Sequence, residues 1–239
     1  MTEGSLWFDL ESLLLGCGAA SMACADLEPL PSEVRSGLPV GVCIGVALSP
    51  SIVAEIAGGP TREYAAEYQR ANALLDRLAA DAAALLRGRG FQAVAGRATV
   101  DKLDPHTLAT PLPHKTIATR AGLGWIGKCA LLITERYGSA VRYNTVLTDA
   151  PLPAGTPVET SRCGKCTACV EACPAGALSG RNWRAGQRRE AFFDAFACRR
   201  NAREMAGKIG ISHTICGICI AVCPHTKRYT DERRNAERV

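Results

Sequence analysis

Aromatic residues are scarce in this chain: three Trp, five Tyr and five Phe make up 5% of its 239 residues. Few platforms therefore exist for holding unstacked bases, which disfavours a single-stranded nucleic-acid binder built on aromatic stacking. Long apolar runs are missing too. The longest, such as Val40 to Leu48, fall well short of the roughly 20 residues that a membrane helix needs. Positive charge is absent from the opening residues, MTEGSLWFDLESLLL, where a secretory leader would carry it. The chain is therefore expected to be cytoplasmic, with no membrane partner. Its 47% hydrophobic and 21% charged residues are ordinary for a globular protein and argue against disorder.

Cysteine is the opposite case. Twelve cysteines in a cytoplasmic chain call for something other than disulfides to hold them. Cys17, Cys24, Cys43 and Cys129 are scattered, whereas the other eight lie in the last third. Charge divides in the same way: from Val158 onward 15 Lys and Arg face 8 Asp and Glu, while the remainder holds 13 and 15. A basic segment attracts nucleic acid, or it offsets anionic metal–thiolate clusters within itself. The second reading is favoured here.

Hydrophobic patterning gives an α+β outline. Residues 5–24 read as a helix, with Cys17 and Cys24 on one face, and Pro39 to Leu48 as a buried strand. Thr61 to Gly90 is the clearest helix, with an apolar stripe through Ala71, Leu75, Leu78, Ala82 and Leu86, a capping Thr61, and Gly88 and Gly90 at its end. Gln92 to Val100 reads as a strand. Ala130–Thr134 and Ala140–Thr148 read as a hairpin joined by RYGS. RRNAERV reads as a solvated helix end. The loop DAPLPAGTPVETS marks the expected boundary between a larger domain, residues 1–157, and a small cysteine-rich domain, residues 158–239.

The stretch Ala121 to Lys128, AGLGWIGK, fits both G-x-G-x-x-G and G-x-x-x-x-G-K. Neither motif has its context. A dinucleotide fingerprint needs a strand before the glycines and a helix after them; here PHKTIATR precedes and a strand pattern follows. A P-loop needs Ser or Thr after the lysine, and Cys129 stands there. The glycines instead permit close approach of the backbone, to another element or to a large flat ligand. Cys129 faces a cofactor or fills the core; His114 and Lys115 position a substrate or are plain loop residues.

The decisive pattern is Cys163-x₂-Cys166-x₂-Cys169-x₃-Cys173-Pro174, the bacterial ferredoxin run, whose fourth cysteine ligates the other cluster. Its partner is Cys216-x₂-Cys219-x₃-Cys223-Pro224. Two [4Fe–4S] clusters follow, one on Cys163, Cys166, Cys169 and Cys223, the other on Cys173, Cys216, Cys219 and one more ligand. That ligand is Cys198, with His213, at the x₂ position before Cys216, as the alternative. Zinc is the plainer rival for these thiols. Paired clusters form a single-electron relay, and the larger domain is expected to hold the acceptor.

With HKTIATRAGLGWIGK (114–128), YGS (137–139), VLTDAPL (146–152), CGKCTACVEACPAGAL (163–178) and CGICIAVCP (216–224) together, the chain resembles the epoxyqueuosine reductase family, related to corrinoid-dependent reductive dehalogenases. The resemblance implies a nitroreductase-like, cobalamin-reductase-like N-terminal domain followed by a ferredoxin-like dicluster domain. It implies cobalamin as a further cofactor, with Gly122, Gly124, Trp125 and Gly127 along the wall near the macrocycle. It also implies a low-potential electron donor (ferredoxin, flavodoxin or reductase) and a modified nucleoside or small molecule as substrate. Two departures stand out. The family's proton-donating aspartate falls in register with Leu108, with Asp101 and Asp104 nearby but out of register, so the catalytic residue is left open. The family also continues into a helical-repeat region that engages tRNA, whereas this chain stops soon after Cys223. Three functions follow in order of expectation: an iron–sulfur reductase feeding a corrinoid, a dicluster electron carrier docking a partner enzyme, and reduction of epoxyqueuosine in tRNA itself.

Overall fold

A computed structural model describes residues 3–100 and 103–236. Asp101 and the last three residues of the RRNAERV tail lie outside the described residues. In chain order the elements are helix α1 (Glu3–Gly16), strands β1 (Ser21–Asp26) and β2 (Val40–Ala47), helices α2 (Pro50–Ala54) and α3 (Arg62–Gly88), strand β3 (Ala93–Ala95) and helix α4 (His114–Arg120). Strands β4 (Trp125–Ile126), β5 (Leu132–Ile133) and β6 (Val141–Thr148) follow, then helices α5 (Ala168–Glu171), α6 (Ala195–Lys208), α7 (Ile218–Ala221) and α8 (Pro224–Ala236). No helix among the described residues is long and apolar enough to cross a membrane.

Residues 1–47, 71–123 and 142–158 form one compact unit. Its sheet runs in the order β1-β2-β6-β3. Strands β1 and β2 are antiparallel, with Ala23 opposite Cys43 and Cys24 opposite Val42. Strand β2 is buried along nearly its whole length, as its continuous apolar run requires. Gly41 leaves room on it: a Cβ there would press on Ile117 of α4 and on Leu27 at 2.9–3.0 Å. From Ala71 onward α3 buries Ala71, Leu75, Leu78, Ala82 and Leu86 completely, each leucine stabilising by roughly 1.5–3 kcal/mol.

His114, at the start of α4, is fixed inside this unit. Its Nε2 lies 2.8 Å from the Arg97 carbonyl oxygen and its Nδ1 3.0 Å from Thr145 Oγ1. A carbonyl only accepts, so the neutral ring carries its proton on Nε2 and accepts from Thr145 at Nδ1. Burial holds the imidazole below its ordinary pKa, with Arg142 adding to the effect. The unfolded chain therefore binds the proton more readily. Stability is fully present above the unfolded value near 6.5 and declines as pH falls through it. Urea unfolding at pH 7.5 and 5.5 is expected to show this loss, and His114→Gln to reduce the difference; an unchanged difference in the variant would rule the assignment out.

The second unit comprises residues 48–70, 124–141 and 159–239. Thr61 caps α3 by accepting from the Tyr64 N–H at 3.1 Å. Glu67, 5% exposed, accepts from Ser49 N–H at 2.7 Å and from a forked Arg70 at 2.6 and 2.7 Å. The YGS turn docks on α8: Ser139 N–H donates to Thr226 Oγ1 at 3.0 Å, and Tyr229 OH donates to the Leu48 carbonyl at 2.9 Å.

Four sequence expectations are corrected. The first helix stops at Gly16, and Gly18, with φ +103°, turns the chain into β1. Cys17 and Cys24 therefore share no helix face; Cys17 is exposed and Cys24 is buried in β1. Of Gln92–Val100, only Ala93–Ala95 is strand. The expected hairpin does not form, because Leu132–Ile133 pairs instead with Trp125–Ile126, while β6 joins the other unit's sheet.

Candidate metal centre

Each cysteine run folds as a turn followed by one short helix. Cys166 N–H closes onto the Cys163 carbonyl at 3.0 Å, α5 carries Cys169, and Cys173 follows the helix at Pro174. The second run repeats this with α7. Gly217, at φ +91°, opens it, because any Cβ there would meet Ile56 at 2.6 Å; Cys219 sits on α7, and Cys223 precedes Pro224, which starts α8. Proline at a first helical position lacks only an N–H that would be orphaned anyway.

The thiols gather across the two runs. Cys163, Cys166 and Cys169 line a cavity of about 120 Å³ together with Cys223, and Cys129, Ile133, Pro224 and His225 complete its walls. The remaining four affect one another. Burial first, then Cys173 and Cys216, pushes the Cys198 thiol up to about 11; burial and Cys173 raise Cys216; burial, Cys198 and Cys216 raise Cys219. Cys198 lies on α6, whose first turn is capped by Asp194 Oδ1 accepting from Phe196 and Ala197 N–H at 2.9 Å. His213 is engaged elsewhere: its Nε2 is 2.6 Å from Gln69 Nε2, and its ring centroid is 5.5 Å from that of Tyr68. Thiols raised in this way stay protonated until a cation displaces their protons into solvent, which couples metal uptake to proton release. Cys169 is the exception, drawn down to about 7 chiefly by its hydrogen bond with Cys129.

Positive charge stands close by. Lys128 is buried, 5% exposed, and its Nζ donates to the Cys166 carbonyl at 2.9 Å. The Arg162 guanidinium lies 5.4 Å from the ring centre of Trp125, and the His225 ring meets Trp125 edge-on at 5.0 Å. Sequence reasoning weighed Lys128 only as a P-loop lysine, missed His225 and left Cys129 open between core and cofactor. The one available signal was their adjacency to the glycine turn and to Cys223.

In the glycine turn, the sides without a side chain are filled by the chain itself. A Cβ on Gly122 would meet the Thr156 carbonyl at 2.8 Å, one on Gly124 the Ile133 carbonyl, and one on Gly127 the Ile133 side chain. Trp125 is fully buried, and its Nε1 has no hydrogen-bond partner among the described residues. The helix α4 before the turn and the strand β4 in it are the reverse of a dinucleotide site.

Residues 162–226 match the family described as a 4Fe-4S double cluster binding domain. That segment contains all eight of the clustered cysteines, Cys163 to Cys223. Over 74 residues the chain is 45% identical to the epoxyqueuosine reductase of Aliivibrio fischeri, covering 31% of this chain and 20% of that protein. The matched stretches span 20–40% of such relatives. The fold is similar to that of an epoxyqueuosine reductase solved with an epoxyqueuosine-modified tRNA-Tyr stem loop, at TM-score 0.64 and 20% identity, over 95% of this chain and 66% of that one. It is also similar to the catabolic reductive dehalogenase NpRdhA in complex with 3-bromo-4-hydroxybenzoic acid, at TM-score 0.71 and 19% identity, over 95% and 33%. Both likenesses bear out the expected fold, a cobalamin-reductase-like α+β part with a ferredoxin-like dicluster part.

Proposed function

We propose that this chain is a cytoplasmic iron–sulfur oxidoreductase in which two [4Fe–4S] clusters pass single electrons from a low-potential donor to a corrinoid, for a reductive reaction on a small molecule or modified nucleoside. The unit of residues 1–47, 71–123 and 142–158 holds acceptor and substrate, and the unit of residues 48–70, 124–141 and 159–239 supplies the relay. One observation carries the reading: Cys223 of the second cysteine run lines one cavity with Cys163, Cys166 and Cys169 of the first. Cluster one takes Cys163, Cys166, Cys169 and Cys223; cluster two takes Cys173, Cys198, Cys216 and Cys219. Among the described residues no three His, Cys, Asp or Glu side chains converge tightly enough for a single ion. A tetrahedral zinc, with bonds of about 2.3 Å, would draw its sulfurs to within about 4 Å of each other; thiols spread around a cavity suit a cubane.

Cobalamin as acceptor is supported by likeness to a structure concerned with B12-dependent dehalogenation. When bound, a corrinoid supplies a cobalt that can be driven to a low oxidation state. Gly122, Gly124 and Gly127 would meet it only by their peptide faces, and the unpartnered Trp125 Nε1 is the one polar side-chain atom of that stretch left to use. At the position where the resemblance implies a proton donor, Leu108 stands at φ +53°. Asp104 is committed to its own loop, its Oδ1 accepting from His106 and Thr107 N–H at 2.8 and 2.9 Å. This favours a substrate other than the epoxide of the tRNA-modifying relatives, with its proton taken from solvent or from the substrate itself.

Anaerobic reconstitution tests the reading. About eight irons and as many sulfides per chain are expected, and added cobalamin should co-elute from a sizing column with an altered optical spectrum. Iron without retained corrinoid, in both oxidised and reduced protein, would select the electron-carrier reading; zinc in place of iron would overturn both.

A further inference from the structure

Five cysteines, not four, line the cavity assigned to cluster one. A cubane offers four iron corners, and the crossed set fills them, so Cys129 is left over. We propose that Cys129 serves cluster one without ligating it: its S–H donates a hydrogen bond to the Cys169 sulfur and so raises the reduction potential of that cluster. The inference rests on the two-cluster reading.

The placement of this thiol is built in. Strands β4 and β5 are joined by a tight turn in which Gly127 N–H donates to the Leu131 carbonyl at 2.9 Å and Ala130 N–H to the Gly127 carbonyl at 2.9 Å. Ala130 takes φ +59°, a left-handed conformation that a non-glycine residue adopts only under constraint. The turn thereby aims Cys129 into the cavity. Gly127 makes room for it, since a Cβ there would lie 3.3 Å from Cys129 Sγ and would also run into Ile133. Cys129 is 5% exposed and lines the cavity together with Cys169. Where water is excluded, even a weak S–H donor does not compete with solvent for its acceptor.

The sign follows from charge. One-electron reduction adds negative charge to the cluster and its ligand sulfurs. A donor pointed at one of those sulfurs stabilises the reduced state more than the oxidised one, and hydrogen bonds to the sulfurs are an established lever on cluster potentials. No proton or electron leaves Cys129. It is a positioning and tuning residue, and Cys169 remains the ligand.

The test is a redox titration of the whole reconstituted protein, followed by low-temperature EPR, on the unsubstituted chain, Cys129→Val and Cys129→Ser. Valine keeps the volume and removes the donor; serine keeps a donor. In Cys129→Val the one-electron equilibrium of one cluster is expected to shift about tenfold toward the oxidised form, a fall of about 59 mV. The other cluster should not move, and iron should stay near eight per chain. Cys129→Ser should show no fall. Unchanged potentials in Cys129→Val overturn the proposal, as does loss of about four irons from a variant that melts normally, because Cys129 would then be a ligand. Should Cys129→Val fail to fold, a fall in potential in Cys129→Ser overturns it, and an equal or higher potential supports it. Iron and sulfide analysis of the unsubstituted protein tests the two-cluster reading separately, whatever the potentials do.

Discussion

Cys223→Ala is expected to cost the anaerobically purified protein about four of its roughly eight irons, and the cluster lost is the one held mainly by the first cysteine run. Cys223 belongs in sequence to the second run, yet it shares its cavity with Cys163, Cys166 and Cys169. Burial raises its thiol, and Cys163 adds a smaller push in the same direction. The reason is the short helix α7, which carries its last cysteine away from Cys219, as α5 does for Cys173. The residual EPR spectrum of Cys223→Ala should therefore match that of Cys163→Ala, and that of Cys173→Ala should match those of Cys219→Ala and Cys198→Ala. His213→Ala should keep both clusters, since its ring is occupied with Gln69 and Tyr68. If Cys223→Ala and Cys219→Ala leave the same cluster behind, the sets are not crossed. If His213→Ala removes cluster two while Cys198→Ala keeps both clusters, the eighth ligand is the imidazole.

The reciprocal spacing made this pattern legible in the sequence, because three cysteines on a tight loop and a fourth one helical turn beyond leave little freedom in where each sulfur points. The long helix was legible for a similar reason: its apolar stripe repeats over several turns, and Thr61 supplies a cap. Strand pairing was not. Alternation marks Leu132–Ile133 and Val141–Thr148 as strands but says nothing of partners, and the two sit in different sheets. The pairing of β5 with β4 depends on Gly124, whose missing Cβ lets the Ile133 carbonyl close in. The role of Cys129 was hidden with it, since its aim is set by a turn whose existence follows from that pairing. The units were also less simple than the cysteine distribution implied, for residues 48–70 and 124–141 fold with the cysteine-rich segment. Nothing in the composition of those stretches announces it.

Gly124→Ala should therefore damage the cluster-bearing unit far more than its small size implies. The added methyl would be driven into the Ile133 carbonyl, which is backbone and cannot swing aside as the end of a side chain would. Relief requires β4 to leave β5, breaking the pairs Trp125 with Ile133 and Ile126 with Leu132 and exposing Trp125. Overpacking of this kind costs on the order of 3 kcal/mol. The turn after β4 also carries Lys128, held to the Cys166 carbonyl, and Cys129 in the cavity wall, so retention of cluster one should fall with the strand pair. Gly16→Ala is the matched control: nothing lies within 4 Å of the new methyl, and the glycine ends a helix, so its effect should stay within about 0.5 kcal/mol. Urea unfolding together with iron content per chain measures both. A Gly124→Ala protein as stable and as iron-rich as Gly16→Ala would show that β4 and β5 do not need this glycine, and that the cavity wall is not built on their pairing.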